Sequence, residues 1–225
     1  MRLLPLLALA AASTFAFDAQ AGCSGKPTLH DSSSSSVTAF VRSTGKKVLT
    51  FSGYSAAGYE NLQDLRDIAG RILAATDPGT TLINIGGTSD GIGQLYEWAK
   101  GAGFTTIGVV SSRARDEAVT LAPCVDHVFF VEDKTWGGLS PDGKLSPTSQ
   151  TIVDITDSLV GIGGGDIARD EMLAAQARGV PVTFFAAEMN HEIARQRAAK
   201  RGQPTPRDFR RSAHAVFRCG PSRAP

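Results

Sequence analysis

The chain has 225 residues, 42% hydrophobic and 20% charged, with 23 basic side chains against 22 acidic ones. That length suits one domain with an N-terminal extension, and the composition supports a buried core. A net charge of +1 with no basic stripe gives no case for nucleic acid as a partner, and the locally basic stretches Arg195–Arg201 and Arg207–Arg211 read as solvated helix faces.

The N-terminus carries a targeting pattern. Arg2 precedes an apolar run, Leu3–Phe17, and Asp18-Ala19-Gln20-Ala21 ends in the small-x-small sequence that signal peptidase needs. The run is shorter than the ~20 residues of a membrane span. A periplasmic or secreted protein, cleaved after Ala21, is expected. Cys23 supplies the alternative, a lipoprotein anchored to a membrane through that residue, although Gln20 stands where an aliphatic side chain is usual. The other cysteines are Cys124 and Cys219. In an oxidising compartment these two, or either one with Cys23, could pair; sequence does not choose, and the spacing resembles no metal site.

Residues 22–45 read as a flexible linker, because the run Ser32–Ser36 has too little apolar surface to offset the entropy of ordering. Val37–Arg42 can add an edge element. From residue 46 to about 215, ahead of a tail at 216–225, apolar runs alternate with amphipathic ones. Strands are predicted at Val48–Ser52, Thr81–Ile85, Thr105–Val110, Val128–Val131, Leu159–Ile162 and Val182–Phe185. Helices are predicted at Glu60–Ala75, Ile92–Gly101, Asp116–Leu121, Thr148–Asp157, Ile167–Gly179 and His191–Gly202, the last capped by Asn190. Strands apolar throughout are buried on both faces, so the alternation implies an α/β domain of Rossmann-like, three-layer type with a mostly parallel sheet. Ligands of such sheets sit beyond the carboxyl ends of the strands.

Two strand ends there are rich in glycine. The second strand runs into Gly86-Gly87-Thr88-Ser89-Asp90-Gly91, and the fifth into Gly163-Gly164-Gly165-Asp166, each followed by a helix. Glycines permit sharp turns with positive φ and close approach of a ligand to the main chain. The helix amides beyond them make an anion-binding arrangement. Gly53, after the first strand, points the same way. Asp90 and Asp166 stand where N-caps stand, and would then occupy amides that a phosphate would use; alternatively one of them accepts hydrogen bonds from a ribose. The dinucleotide fingerprint GxGxxG is not met, no GxxxxGK[ST] loop is present, and the motifs specify no cofactor.

This pair of turns resembles the SLOG superfamily, which includes cytokinin-activating phosphoribohydrolases (lysine decarboxylase-like proteins), molybdenum-cofactor carrier proteins and the N-terminal domains of TRPM channels. The resemblance spans residues 46–185. It implies a nucleotide-like small-molecule ligand at the glycine turns and, by analogy with the hydrolases' Pro-Gly-Gly-x-Gly-Thr-x-x-Glu, a catalytic role for Glu171 with Arg169 beside it. Here Asp166 and Ile167 stand near the expected Gly-Thr, and Glu171 arrives one residue late. The arginine motif of those enzymes is not evident. A binding protein is therefore expected ahead of a hydrolase of N-glycosidic or phosphoribosyl bonds, with an interaction protein carrying a relic pocket as a further alternative.

Three other features bear on the site. The long connection Glu132–Pro147 reads as a lid, with Trp136 placed to stack on a planar ring. His191 follows the sixth strand and could move a proton near neutral pH, but His191-Glu192 lacks the second histidine of a zinc HExxH motif. Ser111, Ser112 and Arg113 offer polar contacts after the third strand. The oligomeric state is not legible, and a homo-oligomer is compatible with the sequence.

Overall fold

The computed structural model describes Cys23 and residues 25–217. The signal segment and Cys219 lie outside the described residues. Seven strands, all parallel, form one sheet: β1 (Thr28–Ser32), β2 (Lys47–Gly53), β3 (Thr81–Ile85), β4 (Thr105–Ser111), β5 (His127–Val131), β6 (Ser158–Ile162) and β7 (Val182–Phe185), in the order β1-β5-β4-β3-β2-β6-β7. The helices are α1 (Ser34–Thr44), α2 (Leu62–Ala74), α3 (Leu95–Gly101), α4 (Arg113–Asp116), α5 (Pro147–Ile155), α6 (Asp166–Ala177), α7 (His191–Lys200) and α8 (Arg211–Phe217). None of them is long and apolar enough to cross a membrane.

The sheet separates two helical layers. On one face Leu65, Ala69 and Leu73 of α2, Leu95 and Ala99 of α3 and Ala194 of α7 pack on Leu49, Phe51, Ile83 and Ile85. On the other, Val37 and Val41 of α1 and Ile152 and Ile155 of α5 cover Val48, Leu82, Ile107 and Phe129, while α6 and α8 meet through Ala168, Met172 and Ala213. Each central strand thus sends alternate side chains into both layers, which explains why β2 and β3 are apolar without a period of two.

From β2 the chain steps through β3, β4 and β5 in one direction, then crosses to β6 and β7 on the other side of β2. The reversal makes the crevice between β2 and β6 the topological switch point, the place where open parallel sheets hold ligands.

The strands Thr81–Ile85 and Val182–Phe185 match their predicted bounds. The predicted linker does not. Residues 28–32 pair with β5, and the serine run opens a helix. Ser33 caps it in a reciprocal box with Ser36, and Val37, Phe40 and Val41, at helical spacing, pack on the sheet. The serines supply the cap while the apolar residues beyond them supply the burial, so composition over the run alone misleads. The short helix expected at Asp116–Leu121 lies earlier, at Arg113–Asp116, and α8 has no counterpart in the sequence reading.

Cys23 is bonded to Cys124, 101 residues away, with Cα atoms 5.1 Å apart. The bridge ties the entry to β1 to the entry to β5, the strand it pairs with. Cross-linking so long a loop restricts the unfolded chain, so Cys23→Ala/Cys124→Ala is expected to lower unfolding free energy by about 2–4 kcal/mol. Denaturant titration of oxidised and variant protein checks this; superimposable curves would contradict it.

Candidate functional site

Because every strand is parallel, all the strand-end turns open on one rim. The two glycine turns share that rim but differ in what fills them. The first is occupied in part by the protein. Tyr96 of α3 turns back so that its hydroxyl accepts from Gly87 N at 3.1 Å and lies 2.8 Å from the carbonyls of Ile85 and Ile107. Ser89 N donates to Thr120 O, and Ile92 N to Tyr54 O at 2.7 Å. A Cβ on Gly91 would stand 2.1 Å from Ser55 O and one on Gly93 1.9 Å from Thr88 O, so Gly91 and Gly93 serve close backbone packing. A 3-10 turn, Gly91–Gln94, stands here where a full helical start was expected. Of the amides anticipated for an anion, those of Gly87 and Ser89 are thus engaged within the protein, whereas Gly86 and Asp90 are exposed.

The second turn stays open at its helix end. Gly163 N is used by the sheet, donating to Phe185 O at 2.8 Å, and Gly163 and Gly164 adopt φ of 58° and 126°. Gly165 is the N-cap of α6 and contributes no side chain to the cap. Neither aspartate caps its helix, contrary to expectation: Asp90 makes no side-chain cap bond, and Asp166 is the first helical residue, paired with Arg169 at 2.9 Å. The dipole and leading amides of α6 therefore face outward without a capping oxygen.

A cavity of ≈ 340 Å³ lies against that end, within the size range of small-molecule sites. Its wall includes Gly53, Tyr54 and Ser55 from the end of β2 and Gly165–Ala168 from the start of α6. The wall also includes Arg197 of α7, Arg201 just after it and Arg211 of α8. A larger hollow of ≈ 660 Å³ beside the disulfide is lined by Thr28, Thr105 and His127, the first residues of their strands, so it lies at the amino end, opposite the switch point.

Two tyrosines hold the rim in shape. Tyr59 donates to Ile162 O at 2.8 Å and accepts from Tyr54 N, pinning β6 to the turn after β2 as Tyr96 pins β3 to β4. Burial raises both phenols far above their ordinary range. Tyr54 lies over Gly163 and donates to Arg210 O at 2.5 Å, with the carbonyls of Ala187 and Phe209 close by. Its pKa is raised to about 12, chiefly by burial. Tyr54 thereby ties the C-terminal segment to the cavity.

Glu171 lies behind the cavity and is not part of its wall. It is buried on α6, accepting from Ser149 of α5 at 2.7 Å and Ser52 of β2 at 2.9 Å. Burial pushes its pKa up to about 7; the hydroxyls of Ser149 and Ser52 oppose the rise and the neighbouring Asp170 adds to it. Arg169 is engaged by Asp166 and Asp170. Trp136 is outside the cavity wall too: the Arg113 guanidinium covers its ring at 5.1 Å, and the loop is tied down by Gly138 N donating to Ser149 and by Asp133 accepting from Thr135 and Thr148. His191 stacks on Phe209 and sits between Glu188, at 2.7 Å, and Glu60, at 3.5 Å, outside the cavity wall. Of the sequence-derived candidates, Gly53, Gly165 and Asp166 line the cavity. The arginines that join them belong to the locally basic stretches Arg195–Arg201 and Arg207–Arg211, whose composition alone is that of a solvated helix face. Their spacing carries no signal, because Arg197 and Arg211 lie on separate helices joined by irregular chain.

Solved structures similar to this chain include the structural-genomics protein TM1055, 25% identical, covering 61% of this chain and 72% of its own, with a TM-score of 0.46. Two structures of the molybdenum cofactor carrier protein from Chlamydomonas reinhardtii are 22% and 20% identical, cover 62% and 70% of this chain and 76% and 85% of theirs, and have TM-scores of 0.45 and 0.46. No family model and no curated protein matches the chain.

Proposed function

We propose that this is an exported protein that binds a phosphorylated, nucleotide-related small molecule at the β2/β6 switch point. The observation that carries the reading is the uncapped N-terminus of α6 opening on a cavity whose wall also holds three arginines. Backbone amides at a positive helix end suit phosphate oxygens, and guanidinium groups suit them bidentately. Binding rather than cleavage is supported by Glu171, whose carboxyl is committed to two serines behind the cavity. Export is supported by the Leu3–Ala21 signal pattern and by the disulfide, which belongs to oxidising compartments. A sulfur bonded to Cys124 is not free to carry lipid, which supports the periplasmic or secreted reading over the lipoprotein.

The test uses Gly165→Asp. A Cβ there meets open space, and Asp is a favoured N-cap, so the fold is expected to be as stable as the wild type or more so. The new carboxylate would occupy the α6 amides and repel an anion. Nucleoside 5′-monophosphates, ADP-ribose and pterin phosphates are expected to raise the wild-type melting temperature and to leave G165D unmoved. Equal shifts in both proteins would place the ligand elsewhere, and no shift with any of them would end the reading.

A further inference from the structure

The arginine wall is more positive than one phosphate requires. Arg197 is fixed, donating through Nη2 to Ala56 O at 2.6 Å. Arg201 and Arg211 have no carboxylate partner among the described residues, and the acidic side chain in the wall, Asp166, is held by Arg169. Like charges converging on one hollow repel unless a counter-charge enters. The backbone also goes to some cost to bring Arg211 there. Its φ is 60°, left-handed, and among the described residues only Ala118 shares that state without being glycine. Such strain persists where the surroundings over-determine it, and it collects at ligand clamps. Here the Tyr54 hydroxyl on Arg210 O and Ala213 N on Gly164 O hold the segment on either side of Arg211.

We propose that Arg201 and Arg211 clamp a second anionic group, so that the site selects ligands carrying two linked anionic groups, of the diphosphate class, over monophosphates. This rests on the reading above that the cavity takes a phosphorylated ligand: the α6 end holds one group and the arginine pair the other. The selectivity resides in the C-terminal segment, which follows the last strand of the sheet.

Inorganic phosphate and pyrophosphate separate the two ideas when titrated calorimetrically into the mature chain at low salt. Pyrophosphate is expected to bind at least about tenfold more tightly than phosphate, as one additional charge-assisted contact provides. Both arginines are exposed, so Arg201→Gln/Arg211→Gln is expected to keep the melting temperature. It should lose about tenfold or more in pyrophosphate affinity while phosphate changes by less than about threefold. The control Lys200→Gln/Arg207→Gln removes two charges that do not line the cavity and is expected to change neither affinity. Phosphate bound as tightly as pyrophosphate, or a control as weakened as the clamp variant, overturns the clamp while leaving the phosphorylated-ligand reading in place. Failure of both probes to bind overturns both.

Discussion

Glu171→Gln is expected to be more stable than the wild type above pH 7 and nearly equal to it near pH 4.5. The carboxyl is fully buried, and its pKa is raised from 4.5 to about 7, first by burial. Below 4.5 the group is protonated in folded and unfolded chains alike. Between 4.5 and 7 the unfolded chain gives up its proton while the folded one retains it, so the folded state binds more protons and stability falls as pH rises. Above 7 the loss is complete, on the order of 3 kcal/mol from ~1.4 kcal/mol per pKa unit. Glutamine keeps the shape, donating to one of Ser52 and Ser149 and accepting from the other. The measurement is urea denaturation of both proteins from pH 4.5 to 8. A difference that stays constant over that range would show that Glu171 does not carry a raised pKa. Because Glu171 is outside the cavity wall, E171Q is also expected to bind ligand like the wild type; loss of binding would return the residue to the site.

Gly163→Ala is expected to cost at least about 3 kcal/mol and to loosen the C-terminal segment. The left-handed φ of 58° costs a side chain ~1–2 kcal/mol, and the new Cβ would lie 2.4 Å from the Tyr54 ring, an overlap of the kind that costs ~1–3 kcal/mol more. Tyr54 cannot yield without releasing the carbonyls of Phe209 and Arg210. Two residues on, Gly165→Ala meets nothing within 4 Å and is expected to stay within about 1 kcal/mol of the wild type. Hydrogen exchange over residues 209–217 reads the consequence: faster exchange in G163A and not in G165A. Equal behaviour of the two variants would mean that Tyr54 is not the tie between the turn and α8.

The order of strands and helices along the chain was set by the sequence, because it depends on short-range properties. Runs such as Thr81–Ile85 are apolar throughout and too short for helices, α2 repeats at 3.6 residues, and Asn190 and Ser146 cap their helices through amides three residues on. The carboxyl rim as the place for a ligand follows from the same alternation. Tertiary structure alone decided which glycine turn borders the cavity with the arginines, and that the Tyr96 hydroxyl would fold back onto Gly87 in the other. It also decided that Ser33–Ser36 would start a helix, that Cys124 rather than Cys219 would meet Cys23, and that Glu171 would be enclosed by β2 and α5. Arg197, Arg201 and Arg211 show the reason most plainly. A guanidinium on an exposed helix is indistinguishable in sequence from a solvated charge, and becomes part of a site only when the fold sets it beside the end of β2 and the start of α6, both distant along the chain.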